Sequence, residues 1–400
     1  MALAQWLDEL AALTAQNLPC LEVSETYRVL GLLGQGAFGH VVLALHQQRG
    51  TPLALKFVAK RAGGLEAFLS EYCIALSLAA HPCVAGALGI AFQTPRHYVF
   101  AQEFALARDL FSILQPEVGA PEVRVRRCAL QLASALDFMG AKGLVHGDIK
   151  PDNVLLLDPE CRRVKLSDFG QSRPQGRPVE RPPAPLPYAA PELCRLPPGR
   201  QLPAQPSLDA WALGVLLFVA LTGYFPWITA ADRHYQVFER WLRDPAGRRP
   251  CPPHWHRFSP LACSLLRGLL APEPAHRSPP RAVLPAVRRP WLQPAPAATP
   301  KVTLVASDAT LVASGAARAR APEVAPVVAP TMASDATLVA SGAARARAPE
   351  VAPVVAPDVT MVAPAVAPMV ASDVTLVAPE GVPAVAPAEP GPLAEAGGGP

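Results

Sequence analysis

The stretch from Leu144 to Asn153 reads L-V-H-G-D-I-K-P-D-N, and the rest of the chain is understood through its spacing. An acid at Asp148, a lysine two residues on at Lys150 and an amide at Asn153 suit phosphoryl transfer. The carboxylate can accept a hydroxyl proton, and the ammonium can steady a moving phosphoryl group. The amide oxygen can ligate magnesium, which takes oxygen donors in near-octahedral geometry. A glycine, Gly147, stands directly before the acid.

Upstream, L-G-Q-G-A-F-G-H-V (Leu33, Gly34, Gln35, Gly36, Ala37, Phe38, Gly39, His40, Val41) lies between two strand-like runs. Glycines without Cβ atoms let backbone N–H groups approach phosphate oxygens. The loop is followed by a strand rather than a helix, which disfavours a dinucleotide-binding reading of G-x-G-x-x-G. The next strand holds Ala54 and ends in Lys56, whose ammonium is placed to neutralise phosphate charge. Downstream, K-L-S-D-F-G ends at Gly170 and puts Asp168 after a strand-like run, where it can chelate the magnesium that bridges the phosphates, the Asn153 oxygen serving a second one. A-P-E (Ala190–Glu192) and D-A-W-A-L-G (Asp209–Gly214) complete a series of six elements.

In this order and spacing the chain resembles the eukaryotic protein kinases over Tyr27 to Leu292. The resemblance implies an α+β fold of two lobes, a β-rich lobe over 27–103 and a helical lobe over 104–292. It also implies ATP with Mg2+ in the cleft and a hinge at Glu103–Ala105. By motif position it assigns Asp148 as base, Lys150 beside it, and Asn153 and Asp168 as metal ligands. Glu71 matches the helix carboxylate that pairs with Lys56, and Glu66 is the alternative. Gln102 falls at the gatekeeper position, Asp109 at the residue that often meets the ribose, Asp209 at the acid bracing the catalytic loop, and Arg277 at the partner of Glu192. Lysine at 150 is the serine/threonine pattern. The stretches A-L-K-F-V (Ala54–Val58), Y-V-F-A-Q-E (Tyr98–Glu103), A-L-D-F-M (Ala135–Met139) and C-R-R-V-K-L (Cys161–Leu166) are most similar to the SH3-domain-binding kinase group.

Two departures bear on activity. Gly147 replaces the family's usual arginine, which pairs with a phosphate on the activation segment. Between Phe169 and Ala190 the only hydroxyl residues are Ser172 and Tyr188, so Arg173 to Pro187 offers no phosphoacceptor. Together these predict a kinase that does not wait for activation-segment phosphorylation, with prolines in R-P-P-A-P-L-P (Arg181–Pro187) restricting the segment instead. Pro185 stands where serine/threonine kinases carry a threonine that bonds the catalytic Asp and Lys, so those bonds must come from elsewhere. The rival reading is a weakly active or inactive nucleotide-binding scaffold. It would present P-x-x-P spacings (Pro182–Pro185, Pro203–Pro206, Pro387–Pro390) to SH3 domains as polyproline II ligands.

The rest of the sequence frames this reading. A formal charge of +4 without a Lys/Arg run gives no nucleic-acid footprint. Eight scattered cysteines without C-x-x-C pairs indicate free thiols in a reducing, cytoplasmic setting. Residues 1–26 form an N-terminal extension with no basic leader region. In it Leu3, Trp6, Leu7, Leu10 and Leu13 recur at the period of an amphipathic helix. The longest apolar run, Ala210 to Leu221, is shorter than the roughly 20 residues a bilayer span needs. Residues 293–400 are rich in Ala, Val and Pro and are expected to be disordered. Within them Ala306–Pro330 is repeated letter for letter as Ala333–Pro357. The expected partner is a protein substrate with a Ser or Thr acceptor, which a monomeric chain would engage. Asp152 adds a lean toward basic substrates.

Overall fold

The computed structural model describes residues 3–36, 39–105, 107–182, 186–244 and 248–293. The expectations for Ala37, Phe38, Pro185 and the repeat-bearing tail therefore lie outside the described residues.

The chain opens with α1 (Leu3–Gln16) and the single turn α2 (Val23–Thr26). Then come β1 (Tyr27–Gly36), β2 (Gly39–His46), β3 (Pro52–Ala59), α3 (Gly64–Leu78), β4 (Ala87–Gln93) and β5 (His97–Gln102). The five strands make one antiparallel sheet in the order β1-β2-β3-β5-β4. Alternation along β3 sets its chemistry, because successive side chains point to opposite faces. Leu53, Leu55 and Phe57 enter a core with Tyr27, Val42, Phe92 and Val99 on one face of the sheet. Ala54, Lys56 and Val58 therefore share the other face, where Val58 and Phe100 pack with Phe68 and Tyr72 of α3. Lys56 is thereby turned toward α3.

The second lobe contains α4 (Glu122–Ala141), β6 (Leu144–Val145), β7 (Val154–Leu156) and β8 (Val164–Leu166). It continues with β9 (Arg173–Pro174), β10 (Pro178–Glu180), α5 (Pro191–Cys194) and β11 (Gln201–Pro203). Helices α6 (Pro206–Thr222), α7 (Arg233–Leu242), α8 (Pro260–Leu269) and α9 (Val283–Ala286) complete it. Every residue of α6 from Leu208 to Thr222 is buried, as its unbroken apolar run predicts. Trp211 stacks on Trp227, and the Arg277 guanidinium lies 5.1 Å from the Trp211 ring. The β-rich first lobe and helical second lobe are the α+β arrangement expected from the sequence.

Three expectations need correction. The contact face of α1 is Leu3, Leu7, Leu10 and Ala11, whereas Trp6 and Leu13 are 40% and 59% exposed. Trp6 and Leu13 follow the helical period but sit on its outer side, because the helix packs along one narrow stripe. The Pro203–Pro206 spacing is not a free polyproline segment: Pro203 ends β11 and Pro206 begins α6. Glu66 stands exposed in the first turn of α3, away from Lys56.

Candidate active site

Lys56 is the hub of the cleft. Its Nζ lies 2.5 Å from Glu71 Oε1 and 2.9 Å from Asp168 Oδ1. Burial alone would lower the lysine pKa, but the two carboxylates outweigh it and hold the ammonium charged. For Asp168, burial pushes the carboxyl up, and the Lys56 charge and hydrogen bond outweigh it, so the group stays below its usual range. Asp168 sits at φ 64°, ψ 81°, a left-handed backbone that L-residues adopt at a cost of about 1–2 kcal/mol. Glu71, the motif match, is the glutamate brought to Lys56, and the runner-up Glu66 is not.

Asp148 is braced from three sides. Lys150 Nζ donates to its Oδ2 at 2.7 Å, and Asn153 Nδ2 donates to its Oδ2 at 2.9 Å and to its carbonyl at 2.7 Å. The Asp148 N–H donates to His146 Nδ1 at 3.2 Å, and His146 Nε2 faces the Ser167 carbonyl at 3.1 Å. That pattern makes Nε2 the protonated nitrogen of a fully buried ring. Lys150 and Asn153 thus both reach Asp148 directly.

Below the loop, the buried Asp209 carboxylate accepts the N–H groups of His146 at 2.7 Å and Gly147 at 2.9 Å. Gly147 has φ +81°, and a Cβ there would stand 2.8 Å from the Gln171 carbonyl oxygen. A glycine removes both the left-handed penalty and that contact. Arg277 grips Glu192 through two nitrogens at 2.9 and 3.0 Å and donates to the Ser207 and Ala271 carbonyls.

The glycine-rich turn is split by chemistry. Gly36 pairs with Gly39 where β1 turns into β2. A Cβ on Gly39 would overlap the Phe57 carbonyl at 1.7 Å, while Gly34 and Gly36 face open space. Gly39 is therefore a packing glycine, and the other two leave room for a ligand. Leu33, Gln35, His40 and Val41 flank this turn on β1 and β2, and Ala54 lies opposite Leu43 of β2 and Gln102 of β5. At the hinge, Glu103 pairs with Lys165, and Ala105 is half-buried. Asp109 is engaged locally: its Oδ1 accepts the Ser112 N–H at 2.8 Å.

Sequence reasoning missed how the segment after Asp168 is held. The Ser172 hydroxyl donates to the His146 carbonyl at 3.0 Å, and the residue is buried. β9 pairs with β6, and β10 pairs with β11 through Val179 opposite Leu202. Pro178 faces Pro203, a position that exchanges no N–H bonds, so Val179 and Leu202 form the hydrogen-bonded pair. Gly176 N–H donates to Ala204 O, and Ala204 N–H to Arg177 O. Runs of two or three residues carry no periodicity that a sequence pattern can reveal.

The lysine held between two carboxylates, the braced acid and the ordered series of motifs describe a phosphotransferase cleft, and the protein kinase domain family matches residues 27–292. The chain belongs to that family. It is 48% identical to human serine/threonine-protein kinase SBK2 over 295 residues, covering 72% of this chain and 84% of that one. It is also 47% identical to zebrafish (Danio rerio) serine/threonine-protein kinase SBK1 over 273 residues, covering 68% and 70%. A more distant relative, Drosophila melanogaster serine/threonine-protein kinase meng-po, is 32% identical over 265 residues, covering 65% and 58%. Within the kinases, the chain is a serine/threonine kinase of the SBK family. Membership carries ATP as phosphoryl donor, a divalent cation and a protein substrate. Among the described residues, no helix is long and apolar enough to cross a membrane.

Proposed function

We propose that this kinase phosphorylates protein Ser and Thr hydroxyls with magnesium-ATP, and that it does so without a phosphate on its activation segment. In this reading Asp148 accepts the hydroxyl proton. Lys150 holds the Asp148 carboxylate in place and steadies the γ-phosphoryl. Lys56, fixed by Glu71, neutralises the inner phosphates.

The donor set fits magnesium. Asn153 spends its amide nitrogen on Asp148, which leaves its amide oxygen as the atom that would ligate a metal, and Asp168 is an ionised carboxylate. A bound magnesium would supply charge neutralisation at the phosphate oxygens. We assign the chain to the cytoplasm, since all eight cysteines are free, and take the monomer as the working unit. SH3 contacts are assigned to Pro182–Pro185 and Pro387–Pro390, since Pro203 and Pro206 are built into β11 and α6.

The observation that carries phosphate independence is the β10–β11 ladder, which fixes the segment by backbone pairing. Ser172, one of the two hydroxyls between Phe169 and Ala190, supports it by being buried and bonded to His146. The test is phosphotransfer by purified protein to a generic basic substrate, before and after phosphatase treatment, with Asp148→Asn as control. Retained activity after phosphatase, and loss in the control, is the expected result. Equal signals from wild type and control would favour the scaffold reading. Loss on dephosphorylation, traced to Ser172 or Tyr188, would overturn phosphate independence.

A further inference from the structure

We infer that the N-terminal helix α1 is a positioning element for phosphoryl transfer: through Leu7 it holds α3, and with it Glu71, against Lys56. The inference rests on the pairing role given above to Glu71 and Lys56, and adds a part of the chain outside the matched kinase domain.

The start of α3 is weakly fixed by local structure. Its N-cap is Gly63 at φ 74°, and no side chain caps its first N–H groups. A second glycine, Gly64, follows directly. A helix entered through two glycines and lacking a capping oxygen depends on packing for its orientation. The sheet supplies that packing on one side. On another side stands α1, whose Leu7 is the one residue of the helix that is fully buried. Leu7 and Ala11 share a cleft of about 860 Å³ with Leu65, Leu69 and Cys73 of α3.

The helix is tied at both ends as well. Near its start, Asp8 reaches Arg177 of the activation segment at 3.5 Å. Beyond its end, Gln93 of β4 donates to the Leu18 and Pro19 carbonyls at 3.1 and 2.8 Å and accepts the Leu21 N–H at 3.0 Å. Thus α1 spans from the activation segment to the sheet and crosses α3 between them. Glu71 is buried, and burial pushes its carboxyl up against the opposing pull of Lys56. Its charged form therefore depends on the lysine remaining close, which makes the pair sensitive to a small displacement of α3.

The experiment uses the full chain with Leu7→Asp, Leu7→Ala and a form lacking residues 1–16. Each is measured for kcat, KM for ATP, magnesium-ATP affinity by calorimetry, and melting temperature. The expected result for Leu7→Asp is a loss of about tenfold in kcat/KM for ATP, with a smaller loss for Leu7→Ala. In a Glu71→Gln background the same changes should cost less than about twofold, because the pair that α1 protects is already broken. A synthetic peptide of residues 1–18 should restore the truncated form. Equal losses in both backgrounds, or no rescue by peptide despite a folded domain, would make α1 merely structural and overturn the inference. If wild type were no more active than Asp148→Asn, the catalytic reading would fail. Nucleotide affinity would then decide the role of α1 by the same comparison of backgrounds.

Discussion

The catalytic loop and the activation segment lie against each other and are fixed by different chemistry. In the loop, side chains do the holding: Asp209 takes two backbone N–H groups, and Lys150 and Asn153 converge on Asp148. In the segment, the backbone does most of it, through β9 on β6 and β10 on β11. Side-chain scaffolding places reacting atoms well but fails when one residue changes. Backbone pairing tolerates side-chain change, because any residue with an N–H can take part. The proposed independence from a phosphate rests on this second kind of fixing.

The comparison is broken most severely at Asp209. Asp209→Ala leaves the buried His146 N–H and the part-buried Gly147 N–H without their carboxylate, at about 1–3 kcal/mol for the buried donor and less for the other. It should lower unfolding stability by about 2–5 kcal/mol in denaturant titration and reduce phosphotransfer with it. A neutral result would mean that the loop is held by something other than Asp209.

Gly147→Ala comes next. It forces a Cβ into a left-handed backbone facing the Gln171 carbonyl, and should cost about 1–2 kcal/mol in the same titration. The ladder is tested by Leu202→Pro, which removes the N–H paired with Val179. About 0.5–1.5 kcal/mol and a several-fold loss of activity are expected. Gln201→Ala, which removes only the side-chain bond to Glu180, should change little. If Gln201→Ala did as much damage as Leu202→Pro, backbone pairing would not be what holds the segment.

The smallest effect is in acid. Asp168 has its carboxyl lowered in the folded state, so its contribution is complete above the ordinary carboxylate value and is lost as pH falls through the lowered one. Between about pH 5 and pH 3, wild type should therefore lose more stability than Asp168→Asn. Parallel curves would show that the Lys56–Asp168 contact adds nothing to folding.

The sequence was most informative where elements were long or chemistry was clustered. The apolar run of α6 forms one buried helix, and the strand-like run Pro52–Val58 falls in β3, which runs on past Lys56 to Ala59. Motif position favoured Glu71 over Glu66, both acids on one helix, and the direction of α3 brings Glu71 to Lys56. Spacing misjudged the face of α1, because Trp6 and Leu13 obey the helical period while a narrow partner surface leaves them outside. The strands β9, β10 and β11 escaped notice for a different reason. Their partners lie some twenty residues away or more, and two or three residues show no alternation on their own.

The geometry at Gly147 also constrains how this chain can change. Restoring an arginine there would require moving the Gln171 carbonyl to make room for a Cβ, and the new guanidinium would find no phosphoacceptor between Arg173 and Pro187. Adding an acceptor first would be equally idle, with no arginine to read it. A phosphate read by an arginine at this position would thus need two coordinated changes, neither useful alone and the first carrying a steric penalty.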